Sequence, residues 1–295
     1  MIELTNKNAT PRTKALYALI QSLQGNKIMT AQQEAPSRMR CDQENNYILE
    51  HTGKLPLIRG LDYIHNDYAG VNARAKEWDA KGGIVSICWH TGVEGIGYPE
   101  SQAENPDFEQ LLTPGTPLNT LWMNRMDATA KALLELQQQD IPVIWRPFHE
   151  FEGAWFWWGK GGAENFKKLW RLMYDVFTHQ YGLNNLIWIL GYADYVPDGW
   201  YPGDDVCDIL GSDTYKGCTT HAASYRRLKA INSEKPLAFH ETGLLPAVDD
   251  LFAEAPWGWL MPWHSKWLMQ DNLIERLNEF YHDPRVLTLG DLPRF

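Results

Sequence analysis

The stretch "IPVIWRPFHEFEGAWFWWG", residues 141–159, begins as a short apolar run and then changes abruptly in character. Its first residues have the length and composition of a buried strand. Arg146, His149 and Glu150 follow that strand, and an aromatic run at residues 155–158 comes directly after them. An acid beside apolar rings loses hydration, which raises the pKa of its carboxyl group. The stretch therefore predicts a strand that is followed by a candidate general acid, Glu150.

The same change from apolar to polar residues recurs along the chain. The eight strand candidates are "KIMTAQQE", "LPLIRGLDYI", "GGIVSICWH", "IPVIWRPFHE", "LIWILGYAD", "VCDILGSDTY", "PLAFHETG" and "WGWLMPWH". Stretches with helical spacing, such as residues 119–139 and 163–180, lie between most of them. Strands and helices that alternate eight times predict an α/β protein with a single (β/α)₈ TIM barrel, whose cleft lies at the C-terminal ends of the strands.

The chain has the length of one large barrel, and nothing in it suggests a division. No linker, low-complexity segment or repeat interrupts its 295 residues, so we expect residues 1–295 to form a single domain. The amphipathic residues 10–24 predict an additional helix that covers the amino-terminal end of the barrel. Residues 97–120, rich in Pro and Gly, predict a long loop on the mouth side after the third strand.

Composition and charge exclude several classes of partner. The net charge of -10, without any basic run, argues against binding to nucleic acid or to an anionic membrane surface. No run of about 18 apolar residues predicts a membrane span. Four scattered cysteines form no disulfide framework and no C-x-x-C pair. We expect a monomer. For localisation, a secreted protein whose signal peptide has been removed is favoured, and a cytoplasmic protein is the alternative.

Two glutamates follow histidines at the ends of different strand candidates. Glu150 follows the fourth strand and Glu241 the seventh, each in the sequence "FHE". Carboxylates on these strands can face each other across a barrel mouth, and retaining glycosidases need such a pair roughly 5 to 5.5 Å apart. The aromatic run beside Glu150 favours its protonated form and hence the role of acid. The Tyr215 hydroxyl and the Arg146 guanidinium could keep Glu241 ionised as the nucleophile.

Each of these residues also has a purely structural interpretation. Glu150 could be the last residue of a buried strand that Arg146 neutralises. Glu241 could cap the helix after the seventh strand, and Tyr215 could belong to the barrel core.

The chain resembles glycoside hydrolase family 26, whose best known members are β-mannanases of a retaining (β/α)₈ clan. "RPFHEFEGAWFWWG" resembles the acid/base segment of that family. "SDTY" resembles its segment after strand six, "HETG" its nucleophile segment, and "SICWH" its Trp-His after strand three. The segment "TGVEGIGYPES" that follows Trp89 and His90 departs from the family pattern, as does His264, which follows Trp263 where an Arg would be expected.

The resemblance implies a retaining endo-β-1,4-mannanase that acts on mannan, galactomannan or glucomannan, without a cofactor or a metal. It implies that Glu150 is the acid/base and Glu241 the nucleophile, with Arg146 in support. The further residues that it implies, as positioning groups or sugar contacts, are Trp89, His90, His149, Trp155, Asp213, Tyr215 and Trp263.

Three other functions are weighed against this one. A metal-dependent barrel hydrolase would use histidines such as His90, His149, His240 and His264, but the first strand offers no histidine. A non-catalytic carbohydrate-binding barrel would keep the tryptophans without needing both glutamates. A β-glucanase or β-1,3-xylanase of the same family would use the same pair of glutamates on another backbone sugar.

Overall fold

The structure, a computed structural model, describes residues 2–36 and 39–292. The strands in this part of the chain are β1 (Ile28–Gln33), β2 (Ile58–Asp62), β3 (Ile84–Cys88), β4 (Val143–Arg146), β5 (Leu186–Tyr192), β6 (Ile209–Thr214), β7 (Leu237–Thr242), β8 (Trp259–Pro262) and β9 (Val286–Leu287). The α-helices are α1 (Pro11–Leu23), α2 (Gln43–Thr52), α3 (Tyr68–Ala80), α4 (Tyr98–Ala103), α5 (Phe108–Leu112), α6 (Pro117–Gln137), α7 (Trp157–Lys160), α8 (Gly162–Asp175), α9 (Ala222–Ile231), α10 (Val248–Glu254) and α11 (Ile274–His282). Among these described helices, none combines the length and the apolarity needed to cross a membrane.

Strands β1 to β8 form a closed parallel barrel in sequence order. Each strand pairs with the next, and β1 pairs with both β8 and β2, which closes the ring. All eight strand candidates are therefore confirmed, and the fold is a (β/α)₈ TIM barrel. The short strand β9, which was not predicted, pairs with the start of β1 through Ile28 and Val286. Two residues are too short a run to give a detectable alternation of apolar and polar positions.

Helix α1 closes the amino-terminal end of the barrel, as predicted. Thr10 caps it by accepting a hydrogen bond from the Thr13 backbone N–H, and Pro11 occupies its first turn. Its buried residues join the apolar side chains that fill the barrel interior. The Tyr17 hydroxyl donates to the carbonyl of Asp208, directly before β6. The helix therefore seals the end opposite the strand termini that carry the site.

Residues 97–120 do not form the long loop that their composition predicted. They fold into α4, α5 and the start of α6. The Asp107 side chain accepts from the backbone N–H groups of Glu109 and Gln110, and Thr116 accepts from that of Asn119. These caps, followed by Pro at the start of α6, were visible in the sequence as helix starts. The prediction of a loop was wrong because the caps beside the Pro and Gly residues start helices.

Candidate active site

A cavity of about 440 Å³ opens at the carboxyl ends of the strands. Six of the predicted site residues line it: His90, His149, Glu150, Tyr215, Glu241 and Trp263. They come from different strands, and the barrel brings them to one mouth. The structure thus gathers at a single place residues that lie more than 150 positions apart in the sequence.

Glu241 is part of β7 and is held by two donors. Arg146 Nη1 lies 2.7 Å from its Oε1, and the Tyr215 hydroxyl donates to its Oε2. The carboxylate is 3% exposed, so both bonds are shielded from water. These two bonds fix the orientation of both carboxylate oxygens. The proposed helix cap at Glu241 is not observed.

Arg146 joins the nucleophile candidate to a second buried carboxylate. It ends β4, and its Nη2 donates to Asp213. A β-bulge between Ser212 and Asp213 shifts the register so that Asp213 pairs with Glu241 across β6 and β7. Burial alone would lower the pKa of Arg146, but Asp213 and Glu241 outweigh it and raise that pKa. The guanidinium therefore remains charged between the two acids.

Glu150 lies beyond the end of β4, in a turn that holds unusual backbone angles. Its φ of 54° and ψ of 31° are left-handed, as is the φ of 52° at Phe148. The Glu150 N–H donates to the carbonyl of Gly191 in β5 over 2.7 Å. Non-glycine residues keep such angles only where their surroundings enforce them, and such angles cluster at functional sites. The turn lifts Glu150 out of the strand, so the interpretation as a final strand residue was wrong.

The pKa of Glu150 is raised to about 7, primarily by burial and next by the charge of Glu241. Arg146 and the Trp155 N–H, which lies 2.8 Å from Glu150 Oε2, act in the opposite direction. Glu150 is therefore substantially protonated near neutral pH.

The aromatic run beside Glu150 divides between the site and the core. Trp155 is 42% exposed and bonds the carboxylate, and Phe156 lines the cavity. Trp157 and Trp158 are fully buried in the layer between barrel and helices. The sequence argument that all four rings surround Glu150 was therefore only half right.

Glu150 and Glu241 face each other across the cavity. One oxygen of Glu150 and one of Glu241 lie within 4.8 Å of each other, and an Asp213 oxygen lies within the same distance of both. The two carboxyl groups are therefore close enough for the arrangement of retaining glycosidases, in which they are roughly 5 to 5.5 Å apart.

Two groups of described residues bring potential metal ligands within 4.8 Å of one another: Glu150, Asp213 and Glu241, and Asp62, Cys88 and His90. In the first group Arg146 already bonds two of the three acids. In the second, the His90 ring bonds Asp62, and Cys88 bonds the Leu61 carbonyl. Both groups thus have partners within the protein.

Two histidines flank the glutamates with opposite charge preferences. His90 Nδ1 lies 2.6 Å from Asp62 Oδ2; burial would lower the pKa of His90, but Asp62 outweighs it and raises that pKa. His149 is buried beside Arg146, and both effects lower its pKa. Its Nε2 lies 3.8 Å from Glu241 Oε1. The His149 ring is therefore neutral and the His90 ring favours its protonated form.

Of the predicted sugar contacts, Trp89, Trp155 and Asp213 are not among the residues that line the cavity, and Trp89 and Asp213 are buried. Trp89 is 2% exposed and stacks on Trp122 of α6, with ring centroids 5.5 Å apart. Asp213 is buried behind Arg146. Neither side chain lines the cavity, so the expectation that both contact sugar directly is corrected. His240, considered as a ligand, faces Ser86 and Trp259 inside the barrel.

Some residues that line the cavity were absent from the predicted site: Gln33, Pro36, Asp62, Ile64, Tyr98, Phe156, His264 and Trp267. Asp62 and His264 lie at the polar ends of the strand candidates "LPLIRGLDYI" and "WGWLMPWH". Tyr98 and Trp267 lie in connecting segments, where no periodic pattern indicates which way a side chain points.

Comparison with known proteins identifies the relatives of this chain. The model of Glycosyl hydrolase family 26 matches residues 5–291. A mannan endo-1,4-beta-mannosidase of Thermothelomyces thermophilus is 32% identical over 98% of this chain and 63% of its own length. The chain spans 54% of a Piromyces mannan endo-1,4-beta-mannosidase B, at 30% identity. It therefore covers less than two thirds of these relatives.

Solved structures agree with this kinship. The beta-mannanase from a symbiotic protist of the termite Reticulitermes speratus, complexed with gluco-manno-oligosaccharide, superposes with a TM-score of 0.90 at 28% identity. That match covers 99% of this chain and 98% of the other. The GH26-CBM35 beta-(1,4)-mannanase of Podospora anserina gives a TM-score of 0.89 at 33% identity, over 98% of this chain and 68% of that one.

Proposed function

The chain belongs to glycosyl hydrolase family 26, and from that premise we propose that it is a retaining endo-β-1,4-mannanase. Its substrate is a β-mannan-type polysaccharide or manno-oligosaccharide. The observation that carries the proposal is the pair of carboxylates, Glu150 and Glu241, within 4.8 Å of each other in contrasting surroundings. The relatives named as mannan endo-1,4-beta-mannosidases support the choice of sugar. Residues 1–295 act as a single catalytic domain and as a monomer.

In the first step, an oxygen of Glu241 attacks the anomeric carbon. The bond from that carbon to the leaving sugar oxygen breaks, and Glu150 gives its proton to this oxygen. Arg146 and Tyr215 hold the two oxygens of Glu241 in position for the attack, and this is how they contribute to the reaction. The product of the step is a glycosyl ester on Glu241 with Glu150 ionised.

In the second step, the ionised Glu150 takes a proton from water as the water oxygen attacks the anomeric carbon. The bond to Glu241 breaks, and the sugar leaves with its original configuration. The pKa of Glu150, about 7, suits a group that must give and then accept a proton near neutral pH. His149, which is neutral beside Glu241, adds no positive charge that would alter the proton transfers to and from Glu150.

The sugar is bound by the residues around the pair. His90 and Trp263 line the cavity and provide ring faces beside the two glutamates, and Trp155 adds an exposed ring whose N–H bonds Glu150. A flat aromatic surface packs well against the C–H groups of a pyranose. Trp89 and Asp213 contribute without lining the cavity. Trp89 stacks on Trp122 and so supports the segment that carries His90, and Asp213 holds Arg146 in place.

One experiment tests the proposal and its alternatives together. The protein is incubated with mannan, galactomannan, glucomannan, mixed-linkage glucan, β-1,3-xylan and xylan, and reducing ends are measured. We expect the three mannan-type substrates to be cleaved, with the β-anomer formed first in NMR spectra. Preferential cleavage of glucan or xylan would assign another substrate, and binding without cleavage would indicate a carbohydrate-binding barrel. Release of mannobiose alone would contradict the endo mode.

A further inference from the structure

Tyr98 lies in the segment after β3 that departs from the family pattern, and it begins α4. Its side chain is 44% exposed and lines the cavity. Its ring centroid lies 5.3 Å from that of His90 and 5.9 Å from that of Phe156. We propose that Tyr98 binds the sugar next to the bond being cleaved and helps to determine which sugar is accepted, an inference that rests on the proposed function.

The first support is the position of the phenol relative to the two glutamates. The pKa of Tyr98 is raised first by partial burial and then by the charges of Glu150 and Glu241. Both carboxylates are therefore near enough for their charges to act on this side chain. A sugar seated between the glutamates and His90 would have the Tyr98 ring as one of its walls.

The second support is the hydrogen bonding of the Tyr98 hydroxyl. Gln102 Nε2, one turn along α4, donates to the Tyr98 oxygen over 3.1 Å. A phenol can accept and donate at once, so its own proton is left to be donated. In the described residues we find no acceptor for that proton. A sugar oxygen in the cavity that this residue lines is the acceptor that the proposal assigns to the proton.

The third support is that the segment is held rigidly before any sugar arrives. The Glu104 carboxylate accepts hydrogen bonds from the backbone N–H groups of Val93, Glu94 and Gly95. A Cβ at Gly92 would lie 2.1 Å from Glu104 Oε1, so only glycine allows this approach.

The same segment is tied to the turn that carries Glu150. Lys160 Nζ, at the end of α7, donates to the carbonyls of Gln102 and Glu104. A binding residue that is already in place loses little entropy when substrate binds, which increases affinity. The bracing therefore presents Tyr98 to the cavity in a fixed position relative to the acid.

The experiment compares Tyr98→Phe, which removes the hydroxyl, with Tyr98→Ala, which also removes the ring. Tyr195→Phe is the matched control, since Tyr195 is 63% exposed, stacks on Arg227 and does not line the cavity. For each variant, kcat/KM is measured on mannan and on manno-oligosaccharides. The affinity for manno-oligosaccharides is measured by calorimetry in a Glu241→Ala background, where no turnover occurs.

We expect Tyr98→Phe to lower kcat/KM and the affinity for manno-oligosaccharides roughly 3- to 10-fold each, because one neutral hydrogen bond is lost. Tyr98→Ala is expected to lower them roughly 10-fold or more, because a stacking surface is also lost. Tyr195→Phe should leave them unchanged. Equal ratios of mannan to glucomannan cleavage in wild type and Tyr98→Ala would contradict the role in specificity.

If both Tyr98 variants stay within twofold of wild type in kcat/KM and affinity, the proposal is wrong. The Phe variant keeps the ring packing, so a poorly folded Ala variant does not remove the test. If the wild type cleaves another polysaccharide of the panel instead of mannan, the proposed function fails, and the Tyr98 variants are measured on fragments of that polysaccharide. If the wild type neither cleaves nor binds any of them, both proposals fail.

Discussion

Arg146 Nη1 lies 2.7 Å from Glu241 Oε1, and neither side chain is more than 4% exposed. The pair connects the end of β4 to β7 across the barrel mouth. Because Arg146 also bonds Asp213, two buried acids depend on one positive charge. The contact compensates the burial of the Glu241 carboxylate and, in the proposed mechanism, sets the direction of its attack.

Replacing Arg146 by Met should destabilise the protein by about 3 to 5 kcal/mol, because two buried carboxylates lose their partner. Arg171→Ala is the control, since Arg171 pairs with Asp205 on the surface, where an ion pair contributes about 1 kcal/mol or less. Urea denaturation measures both changes. Equal stability of the two variants would show that the buried pair is not required for folding.

Activity should decline as the pH rises through about 7, because the reaction needs Glu150 protonated and the pKa of its carboxyl is about 7. The pH profile of kcat/KM reports this group in the free enzyme. Replacing Glu241 by Gln removes a negative charge that raises the pKa of Glu150, so that pKa should fall in the variant. Titration of Glu150 by ¹³C NMR checks the shift, and a rise would contradict the electrostatic account.

The two glutamates should fail in different ways. Glu241→Ala should abolish activity on every substrate, since no glycosyl-enzyme can form. Glu150→Ala should lose most activity on polysaccharide, because that leaving group needs a proton. An aryl mannoside with a good leaving group should still form the glycosyl-enzyme in this variant. Added azide should then restore turnover of Glu150→Ala and yield a β-azide. If azide restored the activity of Glu241→Ala and gave a β-product, the two roles would be assigned the wrong way round. If azide restored no activity to Glu150→Ala, Glu150 would not be the acid/base.

Tyr215→Phe should lower kcat/KM roughly 10- to 100-fold, because a hydrogen bond to a charged group contributes about 1.5 to 3 kcal/mol. The lost bond is the one that holds Glu241 Oε2. Tyr201→Phe is the control, since the Tyr201 hydroxyl bonds Asp204 at the surface over 2.6 Å. Steady-state kinetics and thermal melting of both variants separate the effect on catalysis from one on folding. A Tyr215→Phe variant as active as Tyr201→Phe would contradict the role of the hydroxyl.

The barrel was predictable because each strand carries its own signal. The strand candidates are short apolar runs, and a run such as residues 141–146 must be buried wherever it lies. The helix α1 was likewise readable from its cap, its proline and its apolar spacing. Residues 97–120 form helices rather than a loop because the caps Asp107 and Thr116 outweigh the Pro- and Gly-rich composition, and both caps are local signals in the sequence.

The sequence by itself indicated Glu150 and Glu241 as the candidate pair, Arg146 and Tyr215 as partners of Glu241, and the strands that end at or near these residues, since motifs and periodicity are local properties of the chain. Tertiary structure alone decided that Trp89 and Asp213 lie behind the cavity and that Tyr98 lies within it. It also decided how far burial and Glu241 raise the pKa of Glu150. The physical reason is that burial and electrostatic coupling depend on distances between residues far apart in the chain, which closure of the barrel sets.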